Sequence, residues 1–161
     1  MIDEIVKILE DAKDRIVSNI QGAGITASGR TEKSFRVETY SNGVRLVAGG
    51  NDTAPIATLE IGRKPGKVPL NMTEIIKQWI IDKGITIKPK PYKSEKGGKY
   101  TAEERGLMSM AGAIAWNKIP KKGTNRFTDP RNDIYSNIIA EFVPEIRKAI
   151  VTGIINMIKT N

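Results

Sequence analysis

The chain contains no cysteine and no histidine. Without cysteine there are no disulfides, thiolate nucleophiles, iron–sulfur clusters or cysteine zinc sites, so folding must rest on packing. The same absence fits synthesis in a reducing cytoplasm. Histidine is the side chain that titrates near neutrality unaided and the commonest metal ligand. Its loss leaves Asp, Glu, Lys, Tyr, Ser and Thr, which serve catalysis only in arrangements that shift their pKa values strongly. No apolar run approaches the roughly 20 residues that cross a bilayer. The opening segment MIDEIVKILEDAKDRI mixes acids among its apolar residues, unlike a signal or transit peptide. The expectation is a soluble chain without export signal or membrane partner. No internal repeat is visible.

What is present is ordinary for a globular protein. A length of 161 residues suits one domain with one real core, and 39% hydrophobic against 27% charged residues argues against wholesale disorder. The formal charge of +8 is unevenly placed. Acids dominate the first helix, whereas the cations gather in three later stretches: Arg63, Lys64 and Lys67; Lys88, Lys90, Lys93, Lys96 and Lys99; Lys118, Lys121, Lys122 and Arg126. Such stretches suit a polyanionic neighbour, nucleic acid or an acidic protein face; solvated lysine is the plainer alternative.

Residues 2 to about 20 place Ile2, Ile5, Val6, Leu9, Ala12, Ile16, Val17 and Ile20 at spacings of three and four, predicting an amphipathic helix. QGAGITASG ends it as a flexible connector. SFRVETYSNGVRLVAGG predicts two strands around Ser41-Asn42-Gly43, with Phe35, Val37 and Thr39 on one face. Thr53 to Gly62 reads as helix or strand, Pro55 and Gly62 favouring a short helix. Asn71, Glu74 and Gly84 bracket a helix with an apolar stripe of Ile75, Ile76, Trp79 and Ile80. ITIKPKPYKSEKGGKY follows as a loop or extended arm that needs a partner to order it.

Thr101 and Glu104 form a second capping-box pattern. The helix it opens has a thin side of Gly106, Ser109, Gly112 and Ala113 that admits another backbone. From Asp129-Pro130 a last helix runs to about Lys159, with Ile134, Ile138, Phe142, Ile146, Ile150, Ile154 and Ile158 every four residues and a bend or break expected at Pro144. The sum is α+β: a small antiparallel sheet packed by an N-terminal helix, a helical middle insertion and a long C-terminal helix. The chain reads as one domain, 1–161, with a helical and loop insertion at about 70–125.

Few residues invite chemistry. QGAGITASGR follows a helix and lacks the Gly-Lys-Ser/Thr ending of a phosphate loop. Glu60 sits in an apolar segment, a candidate for a raised pKa, yet no second carboxylate is spaced beside it, and an internal salt bridge to Arg63 or to another basic residue is the expected role. Asp129 and Asp133 share a helix face, but capping accounts for Asp129. No catalytic, metal or cofactor-binding residue is assigned, and the chain is expected not to be an enzyme. Tyr92 and Tyr100 interleaved with lysines support a second reading, a basic nucleic-acid-binding module. The long loop between the middle helices rules out a helix-turn-helix.

The order of motifs nevertheless resembles a known family. ASGRTEKSFRVE after an amphipathic first helix, then GVRLVAGG, APIATLEIGRKPGK, IIKQWIIDKGI and AGAIAWNKIPKKGTNRF before a long last helix is similar to the tail-completion or minor tail proteins of tailed bacteriophages. The matching positions are Ser28, Gly29, Arg30 and Thr31; Glu60, Gly62, Arg63, Pro65 and Gly66; Trp79, Ile80, Lys83, Gly84 and Ile85; and Ile119, Gly123 and Thr124. The span from Lys88 to Lys99 matches nothing in the pattern. The resemblance implies a non-enzymatic virion protein of the neck, assembled in the host cytoplasm. It would form a ring of its own copies between portal or adaptor and tail proteins, around the channel through which DNA passes. The partner-binding residues expected on this reading are Arg63, Lys64, Lys67, Trp79, Lys93, Lys96, Lys99, Lys121, Lys122 and Arg126, with non-specific contact to DNA in the channel. Trp79, Trp116, Phe127 and Tyr135 are candidates for interface anchors, against the alternative of ordinary core.

Overall fold

The apolar spacing at the start of the chain builds α1, Ile2–Gly22, with Asp3 and Glu4 in the first turn, where the helix dipole favours negative charge. The computed structural model describes residues 1–49, 56, 58–93, 98–124 and 133–159. After α1 come α2 (Arg30–Lys33), β1 (Arg36–Tyr40), β2 (Gly43–Val47), α3 (Thr58–Ile61), α4 (Met72–Asp82) and α5 (Ala102–Ala113). A wide turn at Ile114–Lys118, α6 (Ile119–Lys122) and α7 (Ser136–Lys159) complete the order. The fold is α+β, with long helices at both ends and a two-stranded antiparallel sheet. The chain divides into two compact units: Met1–Ile61 with Pro130–Asn161, and Gly62–Asp129.

In the first unit α1 and α7 run antiparallel: Met1 lies on Gly153, the Arg15 guanidinium donates to Glu141 at 2.6 Å, and the Asn19 amide donates to the carbonyl of Ile134 at 3.2 Å. The core between them holds Ala12, Ile16, Ile20, Phe35, Ile134, Ile138 and Phe142, with Leu46 and Ala48 packed against it from the hairpin side. Val37 pairs with Leu46 and Thr39 with Val44. The turn is Ser41-Asn42, since Tyr40 pairs with Gly43. Gly43 therefore opens β2, where the expectation put it in the turn. A Cβ there would come within 2.9 Å of the Tyr40 ring, so the glycine makes room for an aromatic lying across the strand.

The second unit closes on Val68, Met72, Ala115 and Ile119. Gly84, at φ +61°, ends α4 as expected, but Asn71 makes no capping bond and Glu74 pairs with Lys77 at 2.9 Å. Asn71 lies at φ −84° and ψ 10°, not the extended backbone of an N-cap. The Thr101 box does form: the Glu104 N–H donates to Thr101 Oγ1 and the Thr101 N–H to Glu104 Oε2. The helix it opens is not uniform, because Pro120 has no N–H for the Trp116 carbonyl and its ring would crowd that oxygen. The turn ahead of it widens, with the Ile119 N–H donating to Ile114 five residues back.

Candidate partner-binding surfaces

Among the described residues Glu60 is the most buried acid, 2% exposed, and its carboxylate goes elsewhere than the expected basic side chain. One oxygen accepts from the backbone N–H groups of Ile134, Tyr135 and Ser136 at 3.1, 2.7 and 2.9 Å; the other accepts from the Ser136 hydroxyl. Glu60 thus caps α7 from 76 residues away in sequence, satisfying N–H groups that a helix start leaves unpartnered. The expected cap and first turn, Asp129-Pro130, lie outside the described residues. Desolvation and the nearby Glu60 charge raise the Tyr135 phenol above its usual range. The second buried acid, Glu32, accepts from the Thr26 hydroxyl. On the hairpin, Arg45 and then Arg36 hydrogen-bond Glu38 and hold its pKa below the usual value. Among the described residues no group of three acids could hold a metal ion, and no helix is long and apolar enough to cross a membrane.

The cations of two separate stretches meet in the second unit. The Arg63 N–H donates to Thr124 Oγ1 at 2.8 Å, the Thr124 N–H returns to the Arg63 carbonyl at 2.9 Å, and the Gly66 N–H donates to Pro120 at 3.0 Å. Gly123 sits at the seam with φ +73°, and a Cβ there would lie 2.4 Å from the Arg63 carbonyl oxygen. Only glycine tolerates both the angle and the approach. The Arg63 guanidinium donates to the Lys67 carbonyl at 2.7 Å and so braces its own loop. Lys64, Lys67, Lys121 and Lys122 are exposed on the joined loops, with Lys118 exposed in the turn before.

The third basic stretch, as far as Tyr92, is seated on the chain's own α5. Residues 86–92 lie along the thin side of α5: a Cβ on Gly106 would meet the Lys88 carbonyl at 2.3 Å. The Lys90 N–H donates to Ala102 at 2.8 Å, its ammonium to Ser109 at 3.2 Å, and Arg105 donates to the Lys90 carbonyl at 2.9 Å while stacking on Tyr92. The alternating prolines forbid a helix here, and the missing side chains of α5 provide the seat. An open groove of about 480 Å³ lies between Thr86–Lys90 and Gly106, Ser109, Met110 and Ala113. Lys93 and Lys99 are exposed, Lys99 over the Tyr100 ring; Lys96, Arg126 and Phe127 lie outside the described residues.

Trp79 and Trp116 are both partly exposed, Trp79 beside Ile75 on α4 and Trp116 in the wide turn with its N–H on Thr73 Oγ1 at 2.8 Å. Neither belongs to the core. Tyr135 packs against the first core.

Sequence reasoning missed a surface in the first unit. On α7, Ile139, Val143, Ile146, Ile150, Ile154 and Met157 follow at spacings of four, three, four, four and three, which lines them along one side of a helix. Ile139 and Met157 are each 50% exposed, Ile154 45%, and Ile158 at the end 72%. The signal was in the spacing: a strict four-residue repeat advances about 40° around a helix at each step. Ile134, Ile138 and Phe142 therefore enter the core, whereas Ile150, Ile154 and Ile158 leave it. Small residues take over the inward face, Ala149 in the core and Gly153 under Met1.

Compared with known proteins, the chain matches no family model, no curated protein and no solved structure.

Proposed function

We propose that this chain is a structural subunit of the head–tail junction of a tailed bacteriophage. In this reading it is a neck or tail-completion protein that assembles with its own copies into a ring between the portal or adaptor and the tail. The phage assignment rests on the order of motifs from Ser28 to Thr124. The assembly role is carried by one observation, the exposed apolar side of α7. From Ile139 to Ile158 the side leaves Ile139, Val143, Ile150, Ile154, Met157 and Ile158 each between 37% and 72% exposed, a contiguous apolar surface of the kind that marks interaction sites. A second copy of the chain is the occupant that fits, because spacings of four and three match the seam by which helices pair. On this reading the protein works by contact, without turnover, inside the virion.

Size-exclusion chromatography with light scattering, alone and mixed with portal and tail proteins, tests the proposal. The native chain is expected to form a discrete oligomer that Ile150→Glu with Ile154→Glu converts to a monomer of unchanged helical circular dichroism. A native chain that stays monomeric at every concentration and binds no virion component overturns the reading.

A further inference from the structure

The joined loops of the second unit carry a charge arrangement that folding alone does not require. From Ile61 to Thr73 and from Gly106 to Thr128 the sequence contains no acidic residue. Lys64, Lys67, Lys118, Lys121 and Lys122 are exposed, and none has a carboxylate within ion-pair distance among the described residues. Elsewhere some surface cations are paired, Arg15 with Glu141, Arg36 and Arg45 with Glu38, Lys77 with Glu74, but no other stretch joins as many cations without an acid in its own sequence. Like charges brought together without counterions repel, and the protein holds them in place with three backbone-level hydrogen bonds and a glycine at positive φ.

We propose that these two loops form a binding surface for the phosphate backbone of duplex DNA, independent of sequence. The chemistry separates this partner from an acidic protein. A protein interface needs a desolvated apolar centre, and lysine is depleted from such interfaces. Between Arg63 and Lys67 and between Pro120 and Thr124, where the lysines sit, the only apolar side chains are prolines. Val68 and Ile119 beside them are turned into the core, 7% and 6% exposed, and the exposed Ile61 and Leu70 lie outside these joined stretches. Phosphate binding needs no apolar centre, since release of condensed counterions drives it. A single strand is the poorer fit, because it is held by stacking on successive aromatic rings. Residues 61–70 and 119–124 contain none, and among the described residues the exposed ring near them, Trp116 before Lys118, is held by its N–H on Thr73.

Fluorescence anisotropy with a labelled duplex of arbitrary sequence, at several salt concentrations, tests this on the full chain. The native protein is expected to bind at low salt with log K falling linearly with log salt. Replacing Lys64, Lys67, Lys121 and Lys122 by Gln is expected to flatten that slope by about 4 and weaken binding at least about tenfold, since each phosphate contact contributes close to one unit of slope. The control is Gln at Lys7, Lys33, Lys148 and Lys159, all exposed in the first unit, which removes the same four charges from the formal +8. Native-like binding by the control supports a defined surface; equal loss in both variants overturns it. A native chain that binds polyglutamate but no DNA at low salt overturns the proposal in favour of an acidic protein. The α7 variant that disrupts assembly should bind DNA with an unchanged slope, so this inference and the assembly reading fail separately.

Discussion

At the scale of single residues, Glu60 shows how far a side chain's role can lie from its neighbours in sequence. Arg63 stands three positions on and is the obvious partner, but the carboxylate is satisfied by the first turn of α7. Removing it as Glu60→Ala strands the Ile134 N–H in a position with no water, and a buried donor without a partner costs about 1–3 kcal/mol on top of roughly 1 kcal/mol for a lost cap. The expected outcome is a loss of about 2–4 kcal/mol in urea denaturation with an unchanged slope. Ser136→Ala, which removes one hydroxyl donor and leaves the three N–H bonds, should cost about 1 kcal/mol. Equal effects of the two variants would mean that the backbone bonds contribute nothing. None of this was legible from composition or spacing, because the capping acid and the capped helix are joined only by tertiary folding.

At the scale of elements, legibility followed periodicity. The amphipathic spacing of α1 and the Thr101–Glu104 box were readable because both are local, settled within one or two helical turns. Pro144 was expected to bend or interrupt the last helix, yet α7 continues through it as one element, with the proline on the exposed side. The lysine and proline arm after α4 was readable as a loop, but what it packs on was not. Its partner is the thin side of α5, and although both features were visible, nothing in the sequence says that they meet. In α7 the four-residue repeat marked the helix, and its drift turns the second half outward. That drift predicts a sharp contrast. Ile138→Ala, at 5% exposure, should cost about 2–5 kcal/mol through lost burial and a cavity. Ile150→Ala, at 38%, should change the stability of the monomer by no more than about 0.5 kcal/mol. Chemical denaturation at a dilution where the chain is monomeric measures both. Comparable losses would place Ile150 in the core of the unit and remove the basis for an assembly face.

For the whole molecule, the first unit is made of two separated segments, 1–61 and 130–161, and that arrangement has a geometric consequence. Glu60 in the first segment reaches the backbone of Ile134 in the second at 3.1 Å. With the length of one glutamate side chain between them, the two backbones are no more than about 9 Å apart there, a gap that three or four extended residues span. The two segments of the first unit are therefore close together near their breakpoint, and the core of the second unit, Val68, Met72, Ala115 and Ile119, contains no residue of the first. Excising Gly62–Asp129 and joining Ile61 to Pro130 through Gly-Ser-Gly should leave a chain that still folds. Closing so short a loop costs less entropy than closing the long excursion it replaces, and every member of the core of the first unit is retained. The expected product is helical by circular dichroism, unfolds in one cooperative step, and keeps the oligomeric state of the native chain, because the exposed side of α7 is intact. It should also lose its salt-dependent affinity for duplex DNA, because Lys64, Lys67, Lys121 and Lys122 leave with the excised segment. A product without a cooperative transition would mean that the first unit depends on the second for its fold. One that folds but no longer self-associates would move the assembly surface out of α7.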